Sequence, residues 1–580
     1  MSSTGLHIDA NVAVPMRDGV PLATDLWRPD GSGPWPVLLA RTPYGRTSTA
    51  HLGNPKLPDI RVLVDHGYLV VVQDVRGTGA SPGLFEPHRF DRDDTVDTLA
   101  WIAGQPWCDG NVGMWGASYM GFAQWQAAAQ APPALRAIAP TMTSADPYHA
   151  WHSPQGAVAH GMLFNWSARM ALANLLRPEH DGSSDRTDAA VLRGALDRAD
   201  AFQALPIAER DSLLRGLPWL RDALAHPDHD GFWKNLTAWE DSAAVTVPAL
   251  NVTGWYDVFA REVVRSYTTM RRGAGSGPAR DGQRLVIGPW GHGDGADLGV
   301  FPDRFFGFTG SARAAALTQT HLAFFDRWLR GRAEADPGPR VRIFVMGLDR
   351  WRDEDDWPLP GTRYDDYFLC GGGSANTSRG DGELHRSPPA DDRSDTFTYD
   401  PHDPVPTAGG ATLGFDRPAG PADQRGVEGR ADVLCYTGAP LEAPLEVTGH
   451  VALSVHISSN AADTDVTGKL VDVFPDGRAV ILCEGLCRLR YRDSRSRPEP
   501  LEPGRIAEVT VDMGVTSNVF LPGHRVRLEV SSSDFPRYDR NPGTGGGNAF
   551  TTEVQVAVNR IFHGPARPSR LTLPVIERTA

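Results

Sequence analysis

Three residues of this chain have the types and the order needed for nucleophilic catalysis: Ser118, Asp257 and His292. Ser118 lies in Gly116-Ala117-Ser118-Tyr119-Met120-Gly121, after a short apolar run ending at Trp115 and before a helix-prone stretch from Phe122 to Gln130. A tight glycine-flanked turn between a strand and a helix holds a serine hydroxyl clear of both elements. A side chain at Gly116 is expected to collide with the neighbouring strand as the chain reverses. The second glycine, Gly121, falls three residues after Ser118, where the common form of this turn has it two after. A neutral His292 would take the Ser118 proton during attack, and Asp257 would hold the imidazole tautomer and stabilise the imidazolium. Taken singly, Asp257 reads as a turn aspartate and His292 as a satisfied loop histidine. Taken together they favour catalysis.

The case rests on the elements that precede them. The run from Val247 to Val252 reads as a buried strand and leads to Thr253-Gly254-Trp255-Tyr256-Asp257. Arg284–Ile287 leads in the same way to Gly288-Pro289-Trp290-Gly291-His292. Both candidates then sit past strand C-termini, on the sheet edge where Ser118 emerges. The order Ser, Asp, His along the chain is that of the α/β-hydrolase fold. Residues 1–145 support this, with a hairpin between Val12 and Leu26 that turns at Arg17-Asp18-Gly19. Continuous apolar runs at 36–40 and 68–72 suit parallel strands buried on both faces. A helix is expected over 91–103 and a further strand at 137–139.

Between 146 and 240 the apolar spacing becomes helical (Leu213, Leu214, Leu217, Leu220, Leu224), which predicts a helical cap inserted between Ser118 and Asp257. Residues 241–355 then complete the hydrolase domain, with a long helix expected from Ser311 to Arg330 and stopped by Gly331. From 356 to 580 the period falls to two, as in Val451, Leu453, Val455 and Ile457. That predicts an antiparallel jelly-roll β-sandwich.

At 580 residues the chain needs more than one core. The net charge of −14 argues against nonspecific nucleic-acid binding, and no window suits a membrane span. Five cysteines, without a visible secretory signal, lead to an expected cytoplasmic location. Cys483-Glu-Gly-Leu-Cys487 reads as buried thiols rather than zinc ligands, for lack of a second pair. Asp228-His229-Asp230 reads as a solvated turn, because consecutive side chains do not converge on one ion. No metal and no cofactor are expected.

Tyr44, in Arg41-Thr42-Pro43-Tyr44-Gly45, follows the 36–40 strand. Loops there supply half of the oxyanion hole in such hydrolases, and a tyrosine hydroxyl beside the Tyr119 N–H could do that work. By position alone a packing tyrosine is an equal reading. Asp74-Val75-Arg76-Gly77 reads as a structural ion pair. Trp151, Trp166, Trp255 and Phe259 are the aromatic side chains near the cap and the site loops, and an apolar substrate pocket needs such walls.

Together these residues resemble the bacterial cocaine esterase group of acyl hydrolases, related to the X-prolyl dipeptidyl peptidases. The likeness runs from Val14-Pro15-Met16-Arg17-Asp18-Gly19-Val20 through the serine turn, Gly254-Trp255-Tyr256-Asp257, Gly288-Pro289-Trp290-Gly291-His292 and Phe324-Phe325-Asp326-Arg327. It ends at Phe535–Asn541 and Asn559-Arg560-Ile561. It implies Ser118 as nucleophile, His292 as base, Asp257 as orienting acid, and the Tyr44 hydroxyl and Tyr119 amide as oxyanion hole. The Gly121 offset is this group's own form of the turn.

By the same resemblance Trp151, Trp166 and Phe259 line an aryl-acyl pocket, and Leu413 matches a further lining position. Two positions depart: Arg169 replaces an apolar side chain, and Gly414 replaces an aromatic. The expected activity is cofactor-independent serine carboxylesterase chemistry on small-molecule esters with apolar or aryl acyl groups, with a homodimer by resemblance. The alternative is an amide or peptide hydrolase of the same superfamily, of X-prolyl dipeptidyl peptidase or β-lactam acylase type. That activity needs cap carboxylates such as Glu179, Asp181 or Asp185 to hold an ammonium. A noncatalytic carbohydrate-binding protein is a more distant rival.

Overall fold

The computed structural model describes residues 7–48, 53–177, 183–198, 217–293, 296–414, 418–547 and 550–577. Its N-terminal half is built on one ten-stranded sheet. The first eight strands are β1 (His7–Pro15), β2 (Pro21–Arg28), β3 (Trp35–Thr42), β4 (Leu69–Asp74), β5 (Cys108–Ala117), β6 (Leu135–Thr141), β7 (Leu250–Tyr256) and β8 (Arg284–Gly291). A short hairpin, β9 (Val300–Phe301) and β10 (Arg304–Phe305), stands apart, and β11 (Val341–Val345) and β12 (Arg350–Glu354) finish the sheet. Their order is β1-β2-β4-β3-β5-β6-β7-β8-β11-β12. The stretch from β4 to β11 is parallel throughout, so β3, β5, β7 and β8 all end on the same edge.

The continuous apolar runs are explained by the two covered faces. Val37, Leu39, Leu69 and Val71 point to one side, where α2 (Asp91–Ala103) and α3 (Tyr119–Ala128) bring Leu99, Ile102, Phe122 and Trp125. Leu38, Ala40, Val70 and Val72 point to the other, against α1 (Ile60–Asp65) and α10 (Leu317–Leu329). Each of these fully buried valine and leucine side chains contributes about 1.5–3 kcal/mol. The long helix begins at Leu317 rather than at Ser311, because Ala316 adopts a left-handed φ of 54° at its N-cap.

Between β6 and β7 come α4 (His160–Leu175), α5 (Ser183–Leu196), α6 (Pro218–Ala225) and α7 (Gly231–Leu236). Leu163, Phe164, Ala168, Leu192, Leu217, Leu220 and Leu224 form their shared core. Leu213 and Leu214 of the helical pattern lie outside the described residues. After β7 the chain runs through α8 (Ala260–Gly273) and α9 (Gly277–Asp281) to β8.

The C-terminal half is β-rich, with eleven strands between Arg363 and Val575. Most pairings are antiparallel; Leu445–Ser459 pairs with Ala507–Phe520 over most of its length. The two halves share a core: the Tyr256 hydroxyl donates to the Ile481 carbonyl at 3.3 Å, and Met346 bridges to Asn518. No helix among the described residues is long and apolar enough to cross a membrane.

Candidate active site

Ser118 sits between β5 and α3 with φ 58° and ψ −122°. This conformation is costly for a residue with a Cβ and is held by its surroundings. The Ser118 N–H donates to the Thr141 carbonyl at 2.9 Å. The Thr143 hydroxyl donates to the Ser118 carbonyl at 2.7 Å. The two glycines have different jobs. Gly116 has φ 135°, and a Cβ there would lie 2.5 Å from Cβ of Met120. The obstruction is therefore the first turn of α3, not a neighbouring strand. A Cβ on Gly121 would lie 2.5 Å from Cγ2 of Thr143. Gly121 thus lets α3 close against the loop after β6, which is the physical reason for its offset.

Asp257 follows β7 and His292 follows β8. His292 Nδ1 lies 2.8 Å from Asp257 Oδ1, and His292 Nε2 lies 3.2 Å from Ser118 Oγ. Asp257 is fully buried, so its remaining lone pairs need donors. The Phe259 N–H donates to Oδ1 at 3.1 Å and the Thr253 hydroxyl to Oδ2 at 2.8 Å. The segment carrying His292 is held from below by Lys56, which is 1% exposed. Its ammonium donates to the carbonyls of Gly291, His292 and Gly293 at 3.3, 3.2 and 3.4 Å, and pairs with Asp297 at 2.6 Å. Thr253 and Lys56 are not identifiable from the sequence. Thr253 had a weak signal, a hydroxyl four residues before Asp257; Lys56 had none.

Tyr44 follows β3, and its hydroxyl donates to Ser118 Oγ across 3.4 Å. That hydroxyl accepts from the Trp166 indole at 3.4 Å and also faces the Tyr119 backbone N–H. Burial raises the Tyr44 pKa, which keeps the hydroxyl a proton donor. The Tyr119 ring is fixed underneath. Its hydroxyl donates to Asp91 at 2.5 Å and accepts from the His88 N–H at 3.0 Å, while Arg41 pairs with Asp91 at 3.2 Å. A hydroxyl and an N–H converging beside a serine oxygen are the donors that an oxyanion requires.

The aromatic candidates close a ring around this point. Phe259 meets the His292 imidazole edge-on at 5.2 Å, Trp151 meets Phe259 at 5.2 Å, and Trp166 meets Trp151 at 5.1 Å. Trp166 then returns to Tyr44. Leu413 comes from the C-terminal half and stands with Met162 and Asp257 around one cavity. Trp255 lines the same cavity and packs into the shared core. Arg169 is exposed and donates to Asn165 at 2.8 Å, so it does not line the ring. Gly414 has φ 109°, and a Cβ there would lie 2.4 Å from the Gly161 carbonyl oxygen. An aromatic side chain at this position requires a different backbone path. Glu179 and Asp181 lie outside the described residues, as does the side chain of Asp185. Asp74 and Arg76 are engaged in ion pairs, with Arg46 and with Asp18 and Asp94.

A parallel sheet of this order, with a serine turn on its edge linked to a histidine and a buried aspartate, defines a serine hydrolase of the α/β-hydrolase class. Residues 18–294 match the family described as X-Pro dipeptidyl-peptidase (S15 family), and residues 333–572 match the X-Pro dipeptidyl-peptidase C-terminal non-catalytic domain. A cocaine esterase of Rhodococcus sp. (strain MB1 Bresler) is 47% identical over 98% of this chain and 99% of its own. Two solved structures, an α-amino acid ester hydrolase and an aminopeptidase from a marine sediment archaeon (Thaumarchaeota), each align with a TM-score of 0.80. Each does so at 26% identity, over 99% of this chain and 97% of the other. The chain belongs to the cocaine esterase group within the S15 family.

Proposed function

We propose that the protein hydrolyses carboxylic esters bearing an apolar or aryl acyl group, through an acyl-enzyme on Ser118. The observation that carries this is the hydrogen-bond chain Ser118–His292–Asp257, with the Tyr44 hydroxyl donating to Ser118 Oγ and the Tyr119 N–H facing that hydroxyl, inside the aromatic ring. Ser118 Oγ attacks the ester carbonyl while His292 Nε2 takes its proton. The negative charge that develops on the carbonyl oxygen is met by the Tyr44 O–H and the Tyr119 N–H. His292 returns the proton to the departing alkoxide, and the alcohol leaves. A water, deprotonated by the same imidazole, then attacks the acyl carbon; the bond to Ser118 Oγ breaks, His292 returns the proton to that oxygen, and the carboxylic acid leaves. Trp151, Trp166, Phe259 and Leu413 hold the acyl group, and the relative's name supports an aryl one.

The family description favours one second reading, cleavage of an X-prolyl amide. Turnover of p-nitrophenyl benzoate against Ala-Pro-p-nitroanilide separates them. Faster ester cleavage, lost in Ser118→Ala, supports the proposal; preference for the anilide overturns it. The domain limits read from the sequence belong to the same proposal. So do a homodimer, checked by sedimentation, and a reducing cytoplasmic setting, favoured by five unbridged cysteines.

A further inference from the structure

The cap leaves the sheet after β6 and returns to it before β7. Asp146 and His149 stand at its start, and His229 stands just before α7, near its end. Among the described residues these three form a cluster in which one ligand atom from each lies within 4.8 Å of the others. Asp146 is buried, and its Oδ2 lies 2.7 Å from His149 Nδ1. The His149 and His229 rings meet edge to face at 4.9 Å, and Tyr148 stacks on His229 at 5.0 Å. His229 Nε2 is buried without a hydrogen-bond partner. A buried ring nitrogen with no partner carries a desolvation cost that a ligand would remove.

The neighbours of His229 are engaged elsewhere. Asp228 accepts from the Tyr491 hydroxyl at 2.6 Å. Asp230 accepts from the Phe232 N–H at 2.9 Å, at the start of α7, and sits 2.6 Å from His226 Nδ1. The solvated-turn reading of 228–230 therefore misses His229, whose partners come from the other end of the cap. Arg265 stands close, 3.6 Å from Asp146 Oδ2. It is half-exposed and held more closely by Glu262, at 2.9 Å, so it can stay with Glu262 when Asp146 is otherwise occupied.

We propose that Asp146, His149 and His229 bind a divalent transition ion of the zinc type, which clamps the two ends of the cap together. Two imidazoles and one carboxylate suit zinc, cobalt or nickel; calcium and magnesium want oxygen donors. Metal–ligand distances of about 2.0–2.2 Å place donors roughly 3.3 Å apart. The widest separation therefore needs to contract by about 1.5 Å at most, and the 2.7 Å contact of Asp146 with His149 gives way to the ion, both within the reach of the two half-buried imidazoles. Water fills the fourth position. Binding tightens the cap on the sheet because the ion has no preformed site in the unfolded chain.

The test uses the full chain stripped with a chelator and titrated calorimetrically with Zn²⁺ alone. One equivalent is expected, with a rise in thermal midpoint that Mg²⁺ does not reproduce. His229→Gln and Asp146→Asn should each weaken binding by about tenfold or more. His292→Gln, which removes an imidazole beside a carboxylate outside the cluster, should leave the stoichiometry unchanged. No stoichiometric zinc in the wild type, wild-type affinity in both cluster variants, or loss in His292→Gln overturns the proposal. Asp146 is buried and its variant can fail to fold, so Co²⁺ loading of the wild type gives a second reading. Intense visible bands of a four-coordinate ion support the site, and the pale spectrum of a six-coordinate ion overturns it.

Discussion

Lys56→Met tests whether the placement of His292 depends on a residue far from it in sequence. The substitution keeps the length of the side chain and removes the charge. Three carbonyls, those of Gly291, His292 and Gly293, lose their donor, and the Asp297 carboxylate loses its partner. Removing one member of a buried ion pair costs about 3–5 kcal/mol, because the other charge is left without compensation. The catalytic effect is separate. A shift of about 1 Å in a reacting group lowers rates by roughly 100-fold, so a partial relaxation of the His292 segment should lower kcat about 10- to 100-fold.

The two effects are separable in the double variant Lys56→Met, Asp297→Asn. Neutralising both partners should recover much of the stability, yet the carbonyls of 291–293 stay without a donor and kcat should stay low. The assay is ester hydrolysis by stopped-flow or steady state, with thermal and denaturant unfolding on the same samples. A Lys56→Met protein with kcat within twofold of wild type would falsify the tether. So would a double variant whose kcat returns with its stability.

Three further outcomes follow from the geometry. Tyr44→Phe removes the hydroxyl facing Ser118 and should lower kcat by about 10²- to 10³-fold, with KM and thermal midpoint little changed. Gly121→Ala places a Cβ 2.5 Å from Cγ2 of Thr143; it should destabilise the fold by about 1–3 kcal/mol and recover in part when combined with Thr143→Ser. Burial lowers the pKa of His88 to about 3 and of His321 to about 4. Both bind fewer protons folded than unfolded, so their stability is complete above about pH 6.5 and is lost as the pH falls toward those values. Each adds up to about 1.4 kcal/mol per pH unit to the slope below pH 6. Denaturant unfolding across that range should show the slope, and His321→Gln should flatten it.

Much of the sheet was readable because its signals are local. The runs at 36–40 and 68–72 are apolar at every position, which only a strand covered on both faces requires, and β3 and β4 occupy them. The same periodicity placed Ser118, Asp257 and His292 after strand ends, and parallel pairing then put those ends on one edge. The long helix begins six residues later than the spacing from Ser311 predicts. Its apolar spacing continues through Ser311–Ala316, while the left-handed turn at Ala316 leaves no mark in the pattern.

By itself, then, the sequence determined the hydrolase order of its reactive residues, the changes of period that mark the cap and the β-rich half, and the need for a glycine at 116. These depend on backbone preferences and apolar spacing within a few neighbours. Tertiary structure alone decided why Gly121 must be glycine, which lysine supports His292, and which hydroxyl completes Asp257. It also turned Arg169 to solvent and brought His229 beside Asp146 and His149. The reason is common to all of these. Each is a contact between side chains on separate elements, set by how sheet, cap and C-terminal half pack, and packing distances are not written in local spacing.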